Sequence, residues 1–158
     1  MISEKKKREV IEQLLLQNYN KYYRLACSYV HNDSDAGDIV QNGAYKAILH
    51  SHKLKNIRHA ETWLYRIMLN EVFANYRDRE SVSLEEVVYE QGKEDTYENV
   101  DLQKAINTLE KKDRAVIVLR YFEEMKLEEI AMVLEENLST VKSRLYRSMK
   151  KLRLEMEE

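Results

Sequence analysis

The sequence predicts an all-α protein of two small helical domains joined by an acidic linker, the C-terminal one a helix-turn-helix. Three observations carry that prediction. The 158 residues contain no proline and only three glycines, so helix breakers are almost absent. Apolar residues recur with the 3.6-residue period in most segments, and none sustains strand-like alternation. Charge is distributed in blocks: +4 over residues 1–79, −7 over 80–101 and +1 over 102–158.

Taken in order, residues 4–30 place Ile11, Leu15, Tyr22, Leu25, Ala26 and Tyr29 on one helical stripe, with Leu14 beside it. The cluster His31-Asn32-Asp33-Ser34 interrupts it and offers N-caps for a helix over 35–50. Gly37 and Gly43 weaken that helix by roughly 1 kcal/mol each relative to alanine. A polar loop from His50 to His59 leads into a long helix from about Ala60 to Arg79.

Residues 80–101, ESVSLEEVVYEQGKEDTYENVD, lack a helical stripe and read as the linker. Beyond it, Leu102, Ala105, Ile106 and Leu109 mark one helix, and Ala115, Val118, Leu119 and Phe122 a second. Leu127, Ile130, Ala131 and Leu134 mark a third. A last helix from about Ser139, capped by Ser139 or Thr140, buries Val141, Leu145, Met149 and Leu152. The domains are therefore expected at 1–79 and 102–158.

Composition excludes several classes. No stretch approaches the ~20 apolar residues of a membrane span, so direct membrane insertion is not expected. The charged start, MISEKKKREV, is not a secretory signal. A single cysteine, Cys27, excludes a disulfide framework and reads as a core thiol; cytoplasm is the expected location. No phosphate loop, HExxH or GxSxG motif occurs, so no catalytic residue and no cofactor is assigned. His50, His52 and His59 lack the convergent ligands of a metal site and read as part of a polar, phosphate-facing loop.

Two constellations remain. In KLEEIAMVLEENLSTVKSRLYRSMKKLR, a short helix, a turn of about four residues and a second helix follow one another. Lys142, Arg144, Arg147, Lys150, Lys151 and Arg153 put six basic residues and no acid into twelve positions of the second helix. Its outer face offers Lys142, Ser143, Tyr146 and Arg147, types that bond base edges and phosphates from the major groove. A helical hairpin with a solvated basic face has the same composition. In ETWLYRIMLNEVFANYRDR, Trp63, Arg66, Asn70, Phe73 and Arg77 share a face. Basic residues between aromatics suit unstacked bases, and amphipathic core packing of Trp63 and Phe73 suits the same spacing.

The stretch from Asp113 to Arg153 resembles region four of the small extracytoplasmic-function sigma factors of bacterial RNA polymerase. TWLYRI, with Asn70, resembles region two of the same family, as does YYRLACSYVHNDSDAGDIVQ. The resemblance implies a non-enzymatic subunit that binds core RNA polymerase through the β′ clamp helices and the β flap. It implies promoter recognition and transcription initiation, with an anti-sigma factor as a further partner. Residue by residue, it implies minus-thirty-five contacts from Thr140, Lys142, Ser143, Tyr146 and Arg147. Minus-ten contacts fall on Leu54, Lys55, Arg66, Asn70 and Arg77, and polymerase docking on Asp35, Asp38, Ile39 and Gln41. The acidic linker would thread between the two domains. The competing reading is a stand-alone helix-turn-helix regulator that never joins polymerase.

The chain departs from the family pattern at several places. Glu135 and Ser139 stand where the turn usually has glycine, and Asn42 and Ala44 where glutamate and a large apolar residue are usual. Leu54 and Ala60 replace frequent aromatics. A left-handed residue other than glycine costs roughly 1–2 kcal/mol. Asn137, the residue best able to adopt that conformation, is expected to take it, with the turn shifted by one or two residues.

Overall fold

The computed structural model describes residues 2–76 and 97–157. The chain divides into two compact units, 1–77 and 78–158. Arg77 and segment 80–96 of the expected linker lie outside the described residues.

Unit one contains α1 (Glu4–Gln17), α2 (Tyr19–Val30), α3 (Asp33–Leu49) and α4 (Ala60–Asn75), with single 3₁₀ turns at Ser51–Lys53 and Ile57–His59. The expected helix over 4–30 is two helices. Asn18 leaves helical geometry at φ −113° and ψ 18°, and its carbonyl starts the next ladder by accepting from Lys21 and Tyr22 N–H. Asparagine is a weak helix former whose side chain competes for backbone groups, so the break falls there although the apolar period runs through it. Asn32 caps α3, its Oδ1 accepting the Asp35 N–H at 3.0 Å.

The core of this unit gathers Ile11, Tyr22, Leu25, Tyr29, Val40, Leu64, Met68 and Leu69, each at most 2% exposed. Tyr22 meets Tyr65, and Tyr29 meets Phe73, in edge-to-face contacts at 5.2 and 5.8 Å. Gly43 lets α3 approach α4 closely. A Cβ there would stand 2.5 Å from Met68 Sδ, whereas nothing lies within 4 Å of one at Gly37. The near-buried Glu71 carboxylate is matched by Lys46 at 2.6 Å and by the Asn75 side-chain amide.

Unit two contains α5 (Tyr97–Asn107), α6 (Lys111–Ile117), α7 (Leu127–Leu134) and α8 (Leu138–Glu157). α5 starts inside the segment expected to be linker. α6 runs on into a π-helical turn, Val118–Phe122, where Glu123 N–H bonds the Val118 carbonyl at 3.1 Å. The wider turn carries Phe122 off the core stripe, and it is 51% exposed rather than buried as its spacing predicted. On α8 the inner stripe is Val141, Leu145, Ser148 and Leu152; Ser148 is fully buried and Met149 turns outward.

The turn between α7 and α8 corrects the sequence reading. Glu135 itself is left-handed, at φ 57° and ψ 43°. Glu136 N–H bonds the Ala131 carbonyl and Glu135 N–H the Met132 carbonyl, the paired bonds of a Schellman ending. Asn137 does not take the left-handed position and caps α8 instead. Its Oδ1 accepts the Thr140 N–H at 2.8 Å and the Ser139 hydroxyl at 2.9 Å, so neither Ser139 nor Thr140 is the cap.

Candidate nucleic-acid interface

The candidate surface of unit two is built on α8. Leu145 and Val141 bury its inner face, which turns Lys142, Ser143, Tyr146 and Arg147 to solvent. Thr140 is half-buried in the first turn, with its N–H held by the Asn137 cap. Tyr146 is 68% exposed.

Three carboxylates meet the basic side of this helix. Arg144 lies side-on against Glu136, its Nε donating to Oε1 at 2.8 Å and its Nη2 to Oε2 at 2.9 Å. Its Nη1 reaches Asp113 Oδ1 at 2.8 Å and Glu110 Oε2 at 3.1 Å. Arg147 takes the other side of Asp113, with Nε to Oδ2 at 3.2 Å and Nη2 to Oδ1 at 2.9 Å. Lys112 adds a further bond to Glu136. Lys151 Nζ donates to the Thr108 carbonyl at 2.9 Å, joining α8 to the end of α5.

These bonds set the electrostatics. Burial pushes the Asp113 carboxyl up, but the hydrogen bonds from Arg147 and Arg144 together outweigh it and hold the group below the usual carboxylate range. The Arg144 hydrogen bonds hold Glu136 below its usual range as well, against a smaller opposing effect of burial. Glu136 and Asp113 in turn raise Arg144, and Asp113 raises Arg147. The six-residue basic run read from the sequence therefore includes a residue with a packing role: Arg144 staples turn, α6 and α8. No sequence signal marks it, because helix spacing does not reveal which acids of other elements face a given arginine.

In unit one, Asp35, Asp38 and Gln41 are exposed along α3, next to Tyr45 and Leu49, which are 68% and 53% exposed. Sequence reasoning missed these two outward apolar residues, although both lie off the buried stripe of Ala36, Ile39, Val40 and Ala47. Ile39, expected on the docking face, is 3% exposed and belongs to the core. Leu54, expected to touch a base, is 2% exposed. It anchors the loop from beneath and leaves Lys53, Lys55 and Asn56 exposed above it. On α4, Asn70 is exposed and Arg66 half-buried; Arg77 lies outside the described residues. The rings of His50 and His52 are 6.4 Å apart, and His59 is exposed.

The described residues thus form a helical unit that presents α3 and α4 and a helix-turn-helix unit that presents α8. The sigma-70 region 2 family matches residues 14–82, and the sigma-70 region 4 family matches residues 99–152. The RNA polymerase sigma factor SigV of Bacillus subtilis is 36% identical over 159 residues, covering 96% of each chain. An RNA polymerase sigma-E factor of Streptomyces coelicolor is 31% identical, over 92% of this chain and 85% of its own. CnrH, solved with the cytosolic domain of CnrY, superposes with a TM-score of 0.74 at 26% identity, over 93% of this chain and 87% of its own. RpoE of Bartonella quintana, solved with the anti-sigma factor NepR, has the same fold, with a TM-score of 0.74 at 24% identity over 92% and 96%.

The chain belongs to the sigma-70 family of RNA polymerase sigma factors. Its function is promoter recognition in transcription initiation. No helix among the described residues is long and apolar enough to cross a membrane.

Proposed function

We propose that this sigma factor divides its work between the two units, in the cytoplasm and without chemistry of its own. The exposed row Asp35, Asp38 and Gln41 docks core RNA polymerase at the β′ clamp helices. The loop cations around Lys55, with Asn70, Arg66 and Arg77, engage melted minus-ten DNA. The outward face of α8, carrying Lys142, Ser143, Tyr146 and Arg147 with Thr140 at its start, reads duplex minus-thirty-five DNA, and the β flap holds the second unit on the enzyme.

The observation that carries this reading is the separation of faces on α8. Its apolar stripe is buried while side chains able to bond bases and phosphates stand outward. An anti-sigma factor that covers these faces is the regulatory partner; RpoE of Bartonella quintana was solved in complex with the anti-sigma factor NepR.

Transcription with purified bacterial core RNA polymerase tests the proposal. Addition of the full chain is expected to give initiation at discrete sites. Absence of any complex with core enzyme at low salt would favour the stand-alone regulator.

A further inference from the structure

The arrangement around Asp113 goes one step further and rests on Arg147 facing the duplex. Arg147 is 60% exposed, yet its Nε and one Nη2 hydrogen are taken by a carboxylate that is itself only 8% exposed. Asp113 cannot drift, because it sits in the first turn of α6 and its Oδ1 is also held by Arg144. Arg144 in turn is locked side-on to Glu136 in the turn. The guanidinium of Arg147 is thus gripped along its Nε–Nη2 edge, and its end-on edge, one Nη1 hydrogen beside the second Nη2 hydrogen, lies outside these bonds. A planar fork held in this way is pre-organised for a pair of acceptors.

We propose that Asp113 is the positioning residue that presents Arg147 to an acceptor pair on the promoter duplex. That chemistry has two sources, the N7 and O6 edge of a guanine or the oxygens of a backbone phosphate. Asp113 itself touches no DNA in this arrangement. Its contribution is to restrict the long Arg147 side chain to one orientation before binding.

A double-mutant cycle on the full chain assembled with core polymerase tests the proposal. The probe is a promoter fragment on which that complex initiates. Asp113→Asn is expected to weaken binding about tenfold in the native background. In the Arg147→Ala background it is expected to change binding less than about twofold, since nothing remains to be positioned. Substituting each upstream base pair in turn separates the sources: a guanine contact concentrates the Arg147 effect at one base pair, and a phosphate contact spreads it evenly.

Equal weakening by Asp113→Asn in both backgrounds would assign the residue to the fold alone and overturn the proposal. Tighter binding by Asp113→Asn would mean that the carboxylate withholds Arg147, and would overturn it as well. An Arg147→Ala variant that binds the fragment normally removes that residue from the interface and the proposal with it. That outcome is distinct from a cycle in which Arg147 matters but shows no coupling. Thermal unfolding of Asp113→Asn, read in parallel, separates loss of fold from loss of positioning.

Discussion

Arg144 and Glu136 form a side-on pair, at 2.8 and 2.9 Å, between α8 and the turn that precedes it. Both side chains are largely buried, at 16% and 14% exposure. Truncating the arginine leaves Glu136 and Asp113 without their shared donor. Arg144→Ala is expected to lower unfolding stability by about 2 kcal/mol, read from the urea midpoint of the chain. An unchanged midpoint would show that the pair only decorates the surface.

The same network predicts an acid-labile domain. Asp113 and Glu136 are held below their ordinary values in the folded chain. Their stabilisation is therefore fully present above the unfolded carboxylate range, at about pH 4 to 4.5, and is lost as pH falls through the lower folded values. Glu136→Gln should be less stable than the native chain at pH 7, and the two stability curves should converge as pH drops below about 4. A constant offset across that range would contradict the linkage.

Glu135 occupies the left-handed position that ends α7, at φ 57°. Glycine reaches that conformation without the Cβ penalty. Glu135→Gly is expected to stabilise the chain by about 1 kcal/mol, raising the temperature of unfolding by a few degrees. A lower melting temperature would mean that the glutamate side chain offsets its own strain.

The two helical glycines of α3 should respond in opposite ways. Gly43→Val places branched carbons where the Cβ alone would already stand 2.5 Å from Met68 Sδ, and should cost about 1–3 kcal/mol. Gly37→Ala meets nothing within 4 Å and should gain up to about 1 kcal/mol of helix propensity. Equal effects at both positions, by chemical unfolding, would deny the close approach of α3 to α4.

The proposed division of labour has its own test. Asp38→Arg, at an exposed site, should reduce capture of core polymerase while circular dichroism stays unchanged. Lys142→Ala with Arg147→Ala should weaken minus-thirty-five recognition and leave polymerase capture intact. Loss of capture by the second variant would merge the two roles.

The helical class and the helix-turn-helix were legible because apolar periodicity survives wherever the backbone keeps 3.6 residues per turn. It failed where the backbone does not. The π turn at Val118–Phe122 advances the phase and exposes Phe122. Leu54 is placed at a base by the family resemblance alone; it lies between two 3₁₀ turns, where no period exists to show that its side chain turns inward. At Ser148 and Met149 the stripe can step by three or four residues, and hydrophobicity favoured methionine where geometry buries serine. Ile39 was misread because motif alignment assigns roles to positions without regard to burial. The turn residue was misassigned for another reason: intrinsic preference favoured Asn137 as left-handed, but capping α8 uses its side chain fully.

The matched carboxylates around α8 also bear on how the free protein behaves among chromosomal DNA. Arg144 counts as positive in composition, but it is already matched within the domain by Glu136 and Asp113. Fewer of the helix's cations are left to displace counterions, and each phosphate neutralised contributes about 0.9 to the slope of log affinity against log salt. Fewer phosphate contacts give both a shallower slope and weaker capture by random sequence. The free chain is then expected to be little depleted by the bulk of the genome.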